Sequence, residues 1–320
     1  MKISKIILTF SLASSLSFGV FSQENDVILE EQENTSPTQV EETKNIYPYE
    51  IIVSDERDSK KYTILVEDPK NIEQRLKAME RTMPMVYNES VKKYLDFFLI
   101  RRPSFTRHML EEKDIYFPIF EKYLKANGMP EELKYLSLLE SGLNPKAISR
   151  SKAVGLWQFM SFTGKEMGLT INEYIDERMH IEKSTDAACK YLKQLHKRFD
   201  DWDLALASYN TGPGRISRTI RSTGKTNYWD LHPHIHPDTR AYVPQFIALA
   251  YLMNYGNLHG IVAETKHDFI PVENITVNTY IDLSTLASLS QIPLEEIKNL
   301  NPHIKGNILP EMPLGYDLSL

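Results

Sequence analysis

The chain has 320 residues, 42% of them hydrophobic, and a formal net charge of −6. That length allows two domains and one sizeable core. The acidic balance, with aromatic residues not interleaved with Arg and Lys, argues against a nucleic-acid partner. A lone cysteine, Cys189, excludes an intramolecular disulfide.

In chain order, "MKISKIILTFSLASSLSFGVFSQ" has a short basic start (Lys2, Lys5) and an apolar run diluted by Ser and Gly, the pattern of a secretory signal peptide over 1–22. It carries no cysteine near the expected cleavage site to hold a lipid. Residues 23–45 are acidic and polar, a flexible spacer. Two apolar runs follow, "YEIIV" and "YTILV", which suit either two strands or irregular packing pieces. From Asn71 helix-period patterns dominate: "NIEQRLKAMERTM", "ESVKKYLDFFLIRR" and "DIYFPIFEKYLKANG". Residues 46–110 thus read as a mostly helical packing region, and 111–260 as an all-α domain.

Within that domain, "LKYLSLLESGLNP" (Leu133–Pro145) predicts a helix. Pro130 suits its first position, Leu133, Leu136, Ser137 and Glu140 share one stripe, and Gly142 ends it. Glu140 therefore falls in the last turn on the buried side. The negative end of the helix dipole and partial burial both disfavour its anion, which suits a general acid; a surface glutamate at a fraying end is the alternative. "GLWQFMSFTGKEMG" predicts a helix ending at Gly168, with Trp157 and Gln158 at its start as an aromatic and amide pair for sugar, or Trp157 as core. Ser184 caps a helix through Cys189 to Phe199, in which Cys189 is packing. "DWDLALASYN" predicts a helix ending at Tyr209 and Asn210, and Gly212 then allows a close backbone approach. "DTRAYVPQFIALAYLMNYG" is the last strong helix. Residues 272–320 change texture to strand, helix, helix, strand, a separate small module.

Of the other carboxylates, Glu166, Asp186 and Asp203 occupy solvated or capping positions, Asp176 has no partner visible in sequence, and no second catalytic carboxylate stands out. His232, His234 and His236 lie in a proline-rich loop without a fourth ligand, so no metal and no cofactor is expected. There is no Gly-rich phosphate loop and no G-x-S-x-G elbow.

Taken together, Glu140-Ser141, "NPKAISRSKAVGLWQFM", "TGKEMGL", "LALASYNTGPGRI" and "TRAYVP" resemble, over residues 110–260, the catalytic domain of the soluble lytic transglycosylases, and in particular the membrane-bound lytic murein transglycosylase D group. The resemblance implies a lysozyme-like α-helical fold. It implies Glu140 as the single acid/base and Ser141, Gly155, Leu156, Trp157, Gln158, Tyr209, Asn210, Gly212 and Tyr242 as substrate-binding positions. Ser208 replaces the usual Ala, and "IHPDT" replaces the usual Leu-Pro-x-Glu-Thr. The implied reaction cleaves the MurNAc–GlcNAc β-1,4 bond of peptidoglycan without water. The implied location is the periplasm or cell envelope, where peripheral membrane association is compatible with the sequence. The C-terminal residues resemble LysM, with "IDLSTL" where Gly-Asp-Thr-Leu is usual. A hydrolase of lysozyme or chitinase type on the same fold, a non-catalytic wall-binding protein and an envelope scaffold are the alternatives.

Overall fold

The computed structural model describes residues 5–7, 47–267 and 273–320. The expected leader and spacer lie outside these, except for β1 (Lys5–Ile7). Then come β2 (Tyr49–Asp55), β3 (Lys60–Val66), α1 (Pro69–Met79), α2 (Glu89–Asp96), α3 (Pro103–Ala126), α4 (Leu136–Ser141), α5 (Ser161–Glu166), α6 (Ile181–Phe199), α7 (Trp202–Thr211), α8 (Pro213–Thr223), α9 (Tyr228–Leu231) and α10 (Pro237–Tyr255). The C-terminal module is β4 (Asn274–Val277), β5 (Ile281–Asp282), α11 (Leu283–Ser290), α12 (Leu294–Leu300), β6 (Ile308–Leu309) and β7 (Tyr316–Ser319). The chain is mostly α. It forms two compact units, Met1–Glu111 with Leu195–Lys266, and Glu112–Gln194 with His267–Leu320.

In the first unit the two apolar runs are strands. β2 and β3 pair antiparallel from Tyr49↔Val66 to Asp55↔Lys60, and β1 pairs in parallel with β2. Burial alternates along both (Ile51, Val53, Asp55; Tyr62, Ile64), the period-2 pattern of a sheet with one face packed. The spine of this unit is α10. Every residue from Ala241 to Met253 is buried, and the helix packs on α2 and α7. A helix apolar on all sides needs neighbours on all sides; among the described residues, no helix is long and apolar enough to cross a membrane. His259 ties this core to the hairpin: Nδ1 donates to the Leu65 carbonyl at 2.9 Å, and Nε2 accepts from the Tyr251 hydroxyl at 2.9 Å. Gly260 beside it has φ +83°, and a Cβ there would sit 2.3 Å from the Thr63 carbonyl oxygen.

In the second unit, β4 pairs antiparallel with β7 and β5 with β6, bringing the two ends of the module together. Its core is Leu283, Ile297, Ile304, Leu309, Tyr316 and Leu318, and the same cluster includes Ile175. The change of texture at 272 marks a sequence boundary but not a packing boundary, because a side chain a hundred residues upstream completes this core.

Three expected helices differ. The segment before α4 is a 3-10 turn, Glu131–Tyr135, with Pro130 at its cap rather than its first position. The helix expected over 155–168 shrinks to α5, because Gly155 (φ 86°) and Gln158 (φ 47°) take left-handed conformations that no α-helix accommodates. Ser184 lies inside α6, where it is buried, and not at its cap. Replacing Gly260 by Ala combines an unfavourable φ with a backbone clash. The expected loss is about 2 kcal/mol or more in denaturant unfolding, and a wild-type midpoint would refute the tight contact.

Candidate functional site

Glu140 sits in the last turn of α4. The helix has six residues, too few to persist alone. It is held by burial of Leu133, Leu136, Leu138 and Leu139. Gly142 closes it in the left-handed conformation (φ 60°, ψ 36°), its N–H donating to the Leu138 carbonyl at 3.0 Å. Glu140 itself is 8% exposed, as the stripe predicts.

Its neighbours on the helix hold a second segment. Ser137 Oγ and Ser141 Oγ both donate to the Leu156 carbonyl at 3.0 Å. Ser141 Oγ also lies 3.1 Å from the Ser137 carbonyl. Leu156 belongs to a tight turn closed by paired hydrogen bonds between Val154 and Phe159, each 3.1 Å, and Gly155 N–H donates to the Ala147 carbonyl at 2.9 Å. Gly155 is required here on two grounds: its φ is +86°, and a Cβ would lie 1.9 Å from the Arg178 carbonyl oxygen.

Trp157 is fully buried, packed edge-on against Phe120 at 5.0 Å, with Nε1 donating to Thr185 Oγ1 at 3.0 Å. It therefore offers no face to a sugar. Its place in the substrate-binding set is corrected to a core anchor of the turn, and Leu156, 1% exposed, contributes its carbonyl rather than its side chain. Gln158 is different. Its Nε2 donates to the Gly155 carbonyl at 2.9 Å, while its buried Oε1 has no hydrogen-bond partner, an acceptor left open.

Arg178 fastens this turn from outside. Its Nη1 donates to the Lys152 and Phe159 carbonyls, 3.1 Å each, and its Nε and Nη2 grip Asp176 at 2.9 and 2.7 Å. The partner of Asp176 is thus two residues away, a fork the short spacing already permits. Of the other carboxylates weighed, Asp186 pairs with Lys190 and Glu166 is exposed.

The remaining positions lie in the other compact unit. Tyr209 and Asn210 end α7 and are half-buried. Asn210 Oδ1 accepts from Thr239 Oγ1, on the first turn of α10, at 3.2 Å. Tyr242 follows one turn later and is buried. Gly212 has φ 85°, but a Cβ there would meet nothing within 4 Å, so its backbone angle and not close approach demands glycine. A pocket of about 210 Å³ opens beside Thr211 and Thr239, with Arg215, Arg218 and His236 on its wall. Of the three loop histidines, His232 packs on the Tyr228 and Trp229 rings, and His236 caps α10 by accepting from Asp238 N–H.

Asp203 is the carboxylate that sequence reasoning misplaced. It is buried on α7, and burial pushes its carboxyl up to about 7, with Asp201 adding to the rise and Trp229 opposing it. The available signal was "DLALA", a helix start with apolar residues on every side. Its folded value exceeds the ordinary 3.8. Between those values the unfolded chain holds fewer protons, so stability falls as pH rises through the window, and the loss is complete above about 7.

Residues 117–232 match the family model "Transglycosylase SLT domain", and residues 272–316 match "Lytic transglycosylase MltD, LysM-like domain". The membrane-bound lytic murein transglycosylase D of Escherichia coli strain K12 is 28% identical over 235 residues, covering 72% of this chain and 51% of that protein. The peptidoglycan transglycosylase of Escherichia phage T7 is 35% identical over 104 residues, 32% of this chain and 8% of that one. Among solved structures, the 70-kDa soluble lytic transglycosylase of Escherichia coli aligns with a TM-score of 0.40 and 20% identity, covering 55% of this chain and 32% of that one. The chain spans about half the length of the E. coli relative it matches.

Asp203→Asn should be more stable than wild type by a margin that grows from pH 4 to about pH 7 and is constant beyond. Thermal unfolding across that range measures it, and a margin independent of pH would contradict the assignment.

Proposed function

We propose that this chain, which carries a transglycosylase SLT domain followed by an MltD-type LysM-like domain, cleaves peptidoglycan glycan strands by lytic transglycosylation in the bacterial cell envelope. The observation that carries the reading is Glu140: a buried carboxyl at a closed helix end, its flanking serines bound to the Gly-Leu-Trp-Gln turn.

The chemistry needs one carboxyl with two duties. Glu140 donates its proton to the glycosidic oxygen between MurNAc and GlcNAc, and the C1–O bond breaks as GlcNAc leaves with a 4-hydroxyl. The N-acetyl carbonyl of the substrate stabilises the electron-poor C1. The Glu140 carboxylate then takes the proton of the C6 hydroxyl, whose oxygen attacks C1 and closes the 1,6-anhydro ring. The acid is regenerated and no water is consumed. By the resemblance, Ser141, Gln158, Tyr209, Asn210 and Tyr242 are the proposed substrate contacts; Gly155, Leu156 and Trp157 hold the turn, and Gly212 shapes the end of α7.

The alternative is hydrolysis on the same fold, which commonly uses a second carboxyl group. Product mass separates the two. Digestion of purified peptidoglycan should yield muropeptides lighter by one water than hydrolytic ones, and Glu140→Gln should lose turnover by at least about a hundredfold while keeping its fold. Reducing-end products would select hydrolysis, and an active Glu140→Gln would end both versions of the Glu140 mechanism.

A further inference from the structure

The segment 170–183 lies between the C-terminal module and the turn that carries Gly155–Gln158, and it is bonded to both. On the module side, Ile175 is wholly buried among Leu283, Ile297, Ile304 and Leu318. Ile175 and Ile304 form an antiparallel bridge. Asp176 N–H donates to the His303 carbonyl and Lys305 N–H to the Tyr174 carbonyl, both at 2.8 Å. Tyr316 OH donates to Glu177 Oε1 at 3.0 Å, and the Lys183 ammonium sits 4.1 Å over the Tyr316 ring. Tyr316 and His303 are themselves buried, so this is packed interior and not a surface touch.

On the turn side, Asp176 and Arg178 are both buried and bonded to each other through two side-chain contacts. Arg178 then holds the Lys152 and Phe159 carbonyls, the two ends of the turn, and its own carbonyl oxygen lies against Gly155. The turn's Leu156 carbonyl receives the hydroxyls of Ser137 and Ser141, the latter adjacent to Glu140. Asp176 is bonded at its backbone to the module and at its side chain to Arg178, so displacing the module shifts the anchor of the Arg178 fork.

We propose that the C-terminal module is a built-in part of the catalytic unit, and that Arg178, oriented by Asp176, is the positioning residue through which it sets the Gly155–Gln158 turn and Ser141 beside Glu140. The module acts by fixing geometry, whether or not it also grips glycan. This rests on Glu140 being the acid. A misplacement of about 1 Å in such a shell costs up to about a hundredfold in rate, and a guanidinium fork has no isosteric replacement among the other side chains.

The test uses the full chain and two variants, Ile175→Asp, which expels the module from its seat, and Arg178→Gln, which leaves the module seated. Three readouts apply: protease sensitivity of residues 273–320, hydrogen exchange of the amides of 153–159, and kcat with KM on soluble peptidoglycan strands. Both variants should show faster exchange at 153–159 and a kcat at least about tenfold lower, with KM within about threefold of wild type; only Ile175→Asp should expose the module to protease. An exposed module with wild-type exchange and kcat, or a rise confined to KM, would make the module a tethered glycan holder and overturn the proposal. If Ile175→Asp does not fold, Arg178→Gln decides alone, and wild-type exchange and kcat in it overturn the proposal. If the wild-type chain itself turns over no peptidoglycan, the assignment of function fails, and the exchange data still decide whether the module sets the turn.

Discussion

Arg178 and Asp176 form a buried ion pair, and the turn at 152–159 is fastened to it. Such a pair is weakly favourable in itself, since both charges leave water. Its consequence is geometric. With Asp176 occupying one side of the guanidinium, the remaining donors point at the two carbonyls that close the turn at 152–159. Removing either charge strands the other in the interior, a loss of about 3–5 kcal/mol in comparable cases. The turn so held presents the Leu156 carbonyl that receives the two serine hydroxyls.

The helix bearing Glu140 illustrates a second constraint. A reactive carboxyl at a helix terminus needs the terminus to be fixed, yet a six-residue helix supplies little stability of its own. Four buried leucines anchor it from below, Gly142 ends it in one conformation, and Ser137 and Ser141 donate their hydroxyls to the Leu156 carbonyl. The carboxyl thus sits on a rigid frame assembled from residues that are chemically inert.

The other unit solves a similar problem by burial. α10 is enclosed along thirteen consecutive positions, Ala241 to Met253, so Thr239 and Tyr242 on its first turns are carried by a helix packed on all sides. Asn210 is fixed to it through Thr239. Asp203, on the same helix as Asn210, is buried at the expense of its ionisation.

Much of this was legible in the sequence. The 3.6-residue stripe through Leu133, Leu136, Ser137 and Glu140 placed Glu140 on a buried helix end, and Gly142 followed by Asn144-Pro145 marked where it stops. Helical periodicity pointed to a mostly α chain, and the order of the short motifs to a resemblance with the lytic transglycosylases. These are local properties, set by backbone propensity and by which face of a helix is apolar. Only the tertiary structure decided the rest. Two left-handed residues, Gly155 and Gln158, turned an expected helix start into a closed turn, and the Arg178 carbonyl leaves no room for a Cβ at Gly155. Trp157 became core instead of platform, since Phe120 and Thr185 come to it from distant helices. The module that composition set apart was completed by Ile175, a contact more than a hundred residues away in sequence, which no local pattern encodes because burial there is decided by what folds against the segment and not by the segment itself.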